Sequence, residues 1–265
     1  MIHPTAVIHP KAKLDPSVEV KAYVVIDEHV SLGANCVVGP HVYLTGHTSA
    51  GAGNIFHAGC VMGDAPQDLK YKGEPTRLCI GENNVFREHV TVHRSAKLGE
   101  DTVIGSKNFL MANSHVGHNS HLGNEIILAN GALLGGHVTV ADKVFISGTC
   151  MVHQFTRIGT LALMQGGSAI SKDLPPFTIS MGYNRICGLN IIGLRRAGFT
   201  SEQRLELKKL YRILFRSGKK LRAAVVEAKM EFTSEVAQTM LKFISSSKRG
   251  VCADVGESAD EAAID

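Results

Sequence analysis

The chain has 265 residues, 44% of them hydrophobic and 20% charged, enough for one large domain or two smaller ones. Its apolar runs fall far short of the roughly 20 residues that a membrane-spanning helix needs, and Met1-Ile2-His3-Pro4 lacks the layout of a signal peptide; a soluble cytoplasmic protein with no stable membrane insertion is expected. A net charge of only +4, 6% aromatic residues and no Trp argue against nucleic acid as a partner.

From residue 8 the chain repeats in sixes. Ile8, Leu14, Val20, Ile26, Leu32, Val38, Leu44, Ala50, Phe56 and Met62 mark one phase, which resumes at Ile80 and continues through Phe86, Val92, Leu98 and Ile104 to Ile170. All 26 such positions are apolar, where composition alone would fill about 11. Gly or Asp often follows the marker, as at Gly33, Gly39, Gly105, Gly117 and Gly135, residue types that suit sharp turns. An apolar marker, a turn residue and a short extended run form the hexapeptide repeat of a parallel β-helix. Three hexads make one triangular coil, so residues 18 apart should stack in columns.

The repeat breaks once, over residues 64–77, a polar stretch with two prolines. It reads as a loop that leaves the prism while the prism continues beneath it, and long loops on rigid scaffolds often carry function. The pattern ends near Leu174-Pro175-Pro176. Thr200 with Gln203 then reads as a capping box, and Leu205, Leu210, Leu214 and Leu221 as the apolar stripe of a helical segment. Two short helices are expected around 219–232 and 234–246. The expected division is a β-helix over 1–190, a small α-helical domain over 191–247 and a flexible tail over 248–265. Five of the six cysteines sit among apolar neighbours and read as buried reduced thiols; Cys252 lies in the polar tail.

Thirteen histidines are many for this length, and His115, His118, His121, His137 and His153 cluster. His137 follows His118 by 19 residues, which puts it one coil on, near the same corner. Three readings stay open on these residues alone: polar turn residues on a prism surface, zinc ligands supplied by neighbouring coils or subunits, or a general base for acyl transfer beside glycine-rich turns that offer backbone N–H donors.

Longer motifs carry a resemblance. Gln67-Asp68-Leu69-Lys70-Tyr71 with Gly73-Glu74-Pro75-Thr76-Arg77, His115-Val116-Gly117-His118, Gly136-His137-Val138, Val152-His153-Gln154-Phe155, and Gly188-Leu189-Asn190 with Gly193-Leu194-Arg195-Arg196 together resemble the UDP-N-acetylglucosamine O-acyltransferases over nearly the whole ordered chain. The resemblance implies a mainly β fold, a left-handed parallel β-helix with a small C-terminal α-helical domain, assembled as a homotrimer. It implies transfer of an (R)-3-hydroxyacyl group from acyl carrier protein to the 3-position of UDP-N-acetylglucosamine, the first step of lipid A biosynthesis, with no cofactor, no metal and no acyl-enzyme. His118 would be the general base and Gly136 would orient it through its carbonyl, a nearby N–H supporting the oxyanion. Asp68, His115 and His137 would hold the sugar, Gln67 and Lys70 would help place it, and Gln154, Asn190 and Arg196, with His153 in the same motif, would bind the nucleotide end. Gly166 falls where the family limits the acyl pocket by side-chain size. Acylation of a 3-amino UDP-sugar, a non-enzymatic scaffold and a zinc-binding β-helix remain alternatives. The basic stretch Lys208, Lys209, Arg212, Arg216, Lys219, Lys220 and Arg222 reads either as a solvated helix face or as a dock for an acidic carrier protein. Three positions depart from the family pattern: Asn119 where Asp is common, Ile192 where Glu is common, and Ala197 where a second Arg is expected; the stretch around Ser95–Gly99 is also shorter than in some relatives.

Overall fold

Every sixth side chain is buried because short strands and corners alternate around a triangular prism. In the computed structural model, which describes residues 1–255, Val7–Ile8, Lys13–Leu14 and Glu19–Val20 form one coil. The next coil pairs onto it in parallel, Val7 opposite Val25, Lys13 opposite Ser31 and Glu19 opposite Val37, an offset of 18. Winding yields three sheets of nine, eight and eleven strands, here called the first, second and third faces. Their pairing is parallel except where Thr178–Met181 meets Arg185–Leu189 at the end of the third. The fold is a left-handed parallel β-helix.

The markers fill the core, among them Leu44, Met62, Phe56, Phe86, Leu110 and Leu134. Phe56 and Phe86 stack in successive coils, their centroids 5.1 Å apart and nearly coplanar. A second inward position, two residues before each marker, takes branched aliphatics such as Val24 and Ile126 in many coils and, in others, Cys36, Cys60 and Cys150 or the buried Asn54, Asn84 and Asn108. Gly33, Gly39, Gly105, Gly117 and Gly135, each following a marker, answer to space rather than to a left-handed turn. A side chain on Gly117 would come within 2.7 Å of the Gly135 backbone in the next coil. The left-handed corner residue lies two positions further on and is seldom glycine, as at Asn119 and His137, both at φ +58°.

The prism swells twice, not once. Ala50 pairs with Ile80, 30 residues on, so twelve residues leave the coil after Met62. Ile80 pairs with Ile104, 24 residues on, so six more leave it after Val92. The second excursion preserves the phase of six, so the repeat reads straight through it and Leu98 passes for a core residue; it is 58% exposed.

Beyond the prism come α1 (Ile191–Arg196), α2 (Ser201–Tyr211), a π-helical turn (Arg212–Arg216), α3 (Leu221–Glu231) and α4 (Glu235–Ser245). The Thr200–Gln203 capping box is present at the start of α2. The apolar stripe of α2 runs through Leu207, Leu210 and Tyr211 and on to Leu214, while Leu205 faces solvent. The helices pack on Leu161, Phe177 and Leu194. Residues 248–255 are fastened rather than frayed: Ala253–Asp254 pairs with Arg185–Ile186, Cys252 is buried and Asp254 meets Arg216 at 2.7 Å. The remainder of the tail, 256–265, lies outside the described residues. Among the described residues no helix is long and apolar enough to cross a membrane.

Candidate active site

Both excursions leave the prism at the corner between the first and second faces, and the next coil places His118 at that same corner. Arg94, opening the shorter excursion, ties it to the longer one: its guanidinium donates to the Gly63 carbonyl at 2.7 Å and to the Tyr71 hydroxyl at 3.0 Å. Stacked hexads then build three columns, Gly117–Gly135–His153, His118–Gly136–Gln154 and Asn119–His137–Phe155. The His137 ring packs edge-on against His118, centroids 5.3 Å apart, and stacks on Phe155 at 4.4 Å.

The His118 Nδ1 bonds the Asn119 Oδ1 at 2.8 Å. Gly136 sits against the other edge of the ring, where a side chain would come within 2.7 Å of Nε2. A side chain there would displace the imidazole from this position. The Gly136 carbonyl accepts from the Phe155 N–H, and no hydrogen bond from the His118 ring to it occurs among the described residues. The Gly136 N–H meets no acceptor among the described residues. That state is common at this corner position; what distinguishes Gly136 is the imidazole beside it.

Around this pair lie further histidines. His115, on the outward side of the first face, bonds the Thr91 hydroxyl at 2.8 Å and packs edge-on against His93. Burial pushes the His115 imidazole down to about 4, with help from His93 and His118. Burial also holds His93 and His137 below their ordinary values, although Asp64 and Asp68 respectively pull the other way. His115 and His93 are thus uncharged near neutrality and suited to hydrogen-bonding hydroxyls rather than to pairing with phosphate. Glu100, Asp101, Asn119, His121, His137 and Thr139 line a shallow cleft beside the corner. Among the described residues no three His, Cys, Asp or Glu side chains converge as metal ligands.

The other expected residues distribute unevenly. Gln67 and Lys70 are exposed on the longer excursion, and Asp68 acts electrostatically on His137. Gln154 and His153 are exposed one coil beyond Gly136. Asn190 is committed locally: its Oδ1 caps α1 by accepting from the Gly193 N–H, and its Nδ2 donates to the Leu161 carbonyl at 2.9 Å. Arg196 is exposed near the end of α1. Gly166 occupies a different corner, between the third and first faces, where a side chain would begin in ordinary contact with the Gly148 carbonyl at 3.7 Å. Sequence reasoning missed His93, Arg94, Ser95 and Glu100. Only a pairing offset of 24 brings them to the site, and the preserved phase conceals that offset.

Residues 173–252 match a family model described as UDP N-acetylglucosamine O-acyltransferase, domain 2. Across nearly its full length the chain is 43% identical to the acyl-[acyl-carrier-protein]–UDP-N-acetylglucosamine O-acyltransferase of Syntrophobacter fumaroxidans, covering 94% of this chain and 98% of that one. It is 44% identical to the enzyme of the same name from Thermodesulfovibrio yellowstonii, over 95% and 98%. Among solved structures it is similar to the UDP-N-acetylglucosamine acyltransferases of Francisella novicida, with a TM-score of 0.92 at 32% identity over 100% and 99% of the chains, and of Bacteroides fragilis, with a TM-score of 0.91 at 37% over 95% and 99%.

Proposed function

Because the chain belongs to the acyl-[acyl-carrier-protein]–UDP-N-acetylglucosamine O-acyltransferase family, we propose that it transfers a 3-hydroxyacyl group from acyl carrier protein directly to the 3-hydroxyl of UDP-N-acetylglucosamine, the first step of lipid A biosynthesis, with His118 as the general base that takes the hydroxyl proton. The observation that carries this reading is the pairing of a committed Nδ1, held by Asn119, with an Nε2 edge beside Gly136. Nε2 takes the proton of the sugar hydroxyl as its oxygen attacks the thioester carbonyl. The Gly136 N–H donates to the oxyanion as the C–O bond forms. The C–S bond then breaks, and the imidazolium returns its proton to the departing thiolate.

The uncharged His115 and His137, with Asp68, Gln67 and Lys70, hold and place the sugar. Gln154, His153 and Arg196 take the nucleotide end, with Asn190 serving them by capping the helix that carries Arg196. Leu133 and Met151, exposed on the first face, line a path between the His118 corner and the Gly166 corner, which suits an acyl chain. Glycine at 166 puts no side chain across that path and so leaves it long.

Two faces of the prism carry apolar outward columns: Val25, Leu133 and Met151 on the first, and Ile55, Phe109 and Phe145 on the third. The second presents polar residues such as Lys13, Ser31 and Thr139. A threefold ring buries two different faces of each protomer, so this distribution supports a homotrimer. The basic residues of α2 and its continuation suit an acidic carrier protein. A cytoplasmic location fits the thiols of Cys36, Cys60, Cys79, Cys150 and Cys252, which persist reduced there.

The test is to follow acyl-UDP-sugar by mass spectrometry from UDP-N-acetylglucosamine and 3-hydroxyacyl carrier protein. Wild-type turnover that is lost in His118→Ala with an unchanged Tm is the expected outcome. Turnover only with the 3-amino sugar would reassign the acceptor, and an active His118→Ala would remove the base.

A further inference from the structure

We propose that the short excursion Ser95–Glu100 is the device that orients the general base, with Glu100 a positioning residue that acts on His118 through Asn119. The proposal rests on the acyl-transfer reading and adds to it the group that stands behind the imidazole in this chain.

The Asn119 side chain is buried and fully engaged. Its Oδ1 accepts from the Ala96 N–H at 2.9 Å, and its Nδ2 donates to the Ser95 Oγ at 2.6 Å and to the Glu100 carboxylate at 3.1 Å. Its backbone N–H donates to the Thr102 Oγ1 at 2.8 Å. These partners leave the amide one orientation. Turned over, it would set its NH2 against the Ala96 N–H and its oxygen against a carboxylate. Ser95 agrees, since its Oγ donates to the Lys97 carbonyl and so presents a lone pair to Nδ2. The Oδ1 that faces the His118 Nδ1 can only accept. Nδ1 must therefore carry the proton, and Nε2 presents the lone pair that general-base chemistry requires.

Three of the four side-chain partners of Asn119 come from the six residues that the coil gains here. The excursion supplies an acceptor hydroxyl, a donor N–H and a carboxylate. Glu100 is itself held by the Lys97 ammonium at 2.5 Å. Its charge polarises the amide toward the imidazolium that forms during the reaction. Asn119 and Glu100 are also matched to each other. An aspartate at 119 would set two carboxylates face to face and would lose both donors to Ser95 and Glu100. Other charged or titratable groups near His118 are His137 from the next coil, His93 and His115 from the first face, and Asp68 on the longer excursion. All of them are unchanged in the variants below.

The match defines a double-mutant cycle on the full-length enzyme with acyl carrier protein as donor. N119D should lower kcat about 10- to 100-fold while the KM for UDP-sugar stays within about twofold. E100Q, which still accepts from Asn119 but loses the charge that polarises it, should lower kcat about three- to tenfold. N119D/E100Q restores a donor opposite the new carboxylate and should recover at least about fivefold over N119D. In that double variant the acid limb of kcat/KM should move to higher pH, because a carboxylate on Nδ1 favours the imidazolium. An N119D/E100Q variant no better than N119D would overturn the coupling. Nitrogen-15 histidine spectra of the wild type supply a second readout: the Nδ1–H tautomer at His118 supports the seat, and the Nε2–H tautomer refutes it. Should wild type make no acyl-UDP-sugar, or His118→Ala keep its rate, the acyl-transfer reading fails instead, and the tautomer still decides the seat.

Discussion

Two corners of the same prism bury asparagines for opposite ends. Between the second and third faces, Asn54, Asn84 and Asn108 stack in successive coils and satisfy one another. The Asn84 Nδ2 donates to the Asn54 Oδ1 and to the Gly105 carbonyl, each at 2.9 Å, and the Asn84 Oδ1 accepts from the Asn108 N–H. Every amide there binds coil to coil. Between the first and second faces, Asn119 spends its amide on a histidine and an excursion loop, and the neighbouring His93 Nδ1 is buried without a partner among the described residues. One corner closes its hydrogen bonds and the other leaves capacity open, which is where a polar substrate can enter without displacing the fold.

The contrast can be broken by exchanging the effects. His118→Ala should cost roughly 100- to 10,000-fold in kcat and leave the Tm unchanged. Asn84→Ala should do the reverse. It strands the Gly105 carbonyl and the Asn108 N–H in the interior and leaves the Asn54 Oδ1 only the backbone N–H of residue 84, at a cost of about 2–4 kcal/mol, while kcat per folded enzyme stays at the wild-type value. Denaturant unfolding beside steady-state kinetics reads both. If Asn84→Ala lost activity without losing stability, the division between the corners would be wrong. The third corner supplies a smaller effect. Gly166→Met fills the open end of the acyl path, so the preference in a chain-length series of carrier-protein donors should move to shorter chains by about 10- to 100-fold. Unchanged chain preference would separate Gly166 from the acyl path.

The prism was legible because its physics is local and periodic. Each marker meets the core by a two-residue strand and a corner, so a period of six survives in a single sequence. The same regularity hid what mattered at the site. The excursion after Val92 spans one whole hexad, so Leu98 keeps the phase although it points to solvent, and Glu100 reaches Asn119 only because the coil is longer there. His118 and Gly136 were legible from resemblance to the family motifs, but not the manner of their contact, since spacing cannot tell a carbonyl that orients a ring from an α-carbon that yields to it. At the helical end the Thr200 capping box was legible because it is short-range. Cys252 was not: its burial depends on the Asp173 carbonyl, which accepts from its N–H across 79 residues of sequence.

The smallest effect concerns acid. His115 falls to about 4 from an ordinary value of 6.5, because burial disfavours the imidazolium. Between those two values the unfolded chain binds a proton that the folded chain refuses, so stability rises with pH across the window and is lost as pH drops through it. Above 6.5 both states are neutral and the contribution is flat; below about 4 both are charged and the loss is complete. Allowing for its residual solvent contact, the group should account for roughly 1–3 kcal/mol over that span. Carboxylates titrate in the same range, so the informative quantity is a difference. His115→Gln keeps a polar partner for Thr91 and cannot charge, so its unfolding free energy should fall less than wild type between pH 7 and pH 4.5. His93, buried in the same first-face group, would still contribute in the same direction, which leaves the variant with a reduced slope rather than none. Asn84→Ala, at the closed corner, should keep the full wild-type slope from a lower starting stability. Parallel curves for wild type and His115→Gln would mean that the open corner does not store this electrostatic cost.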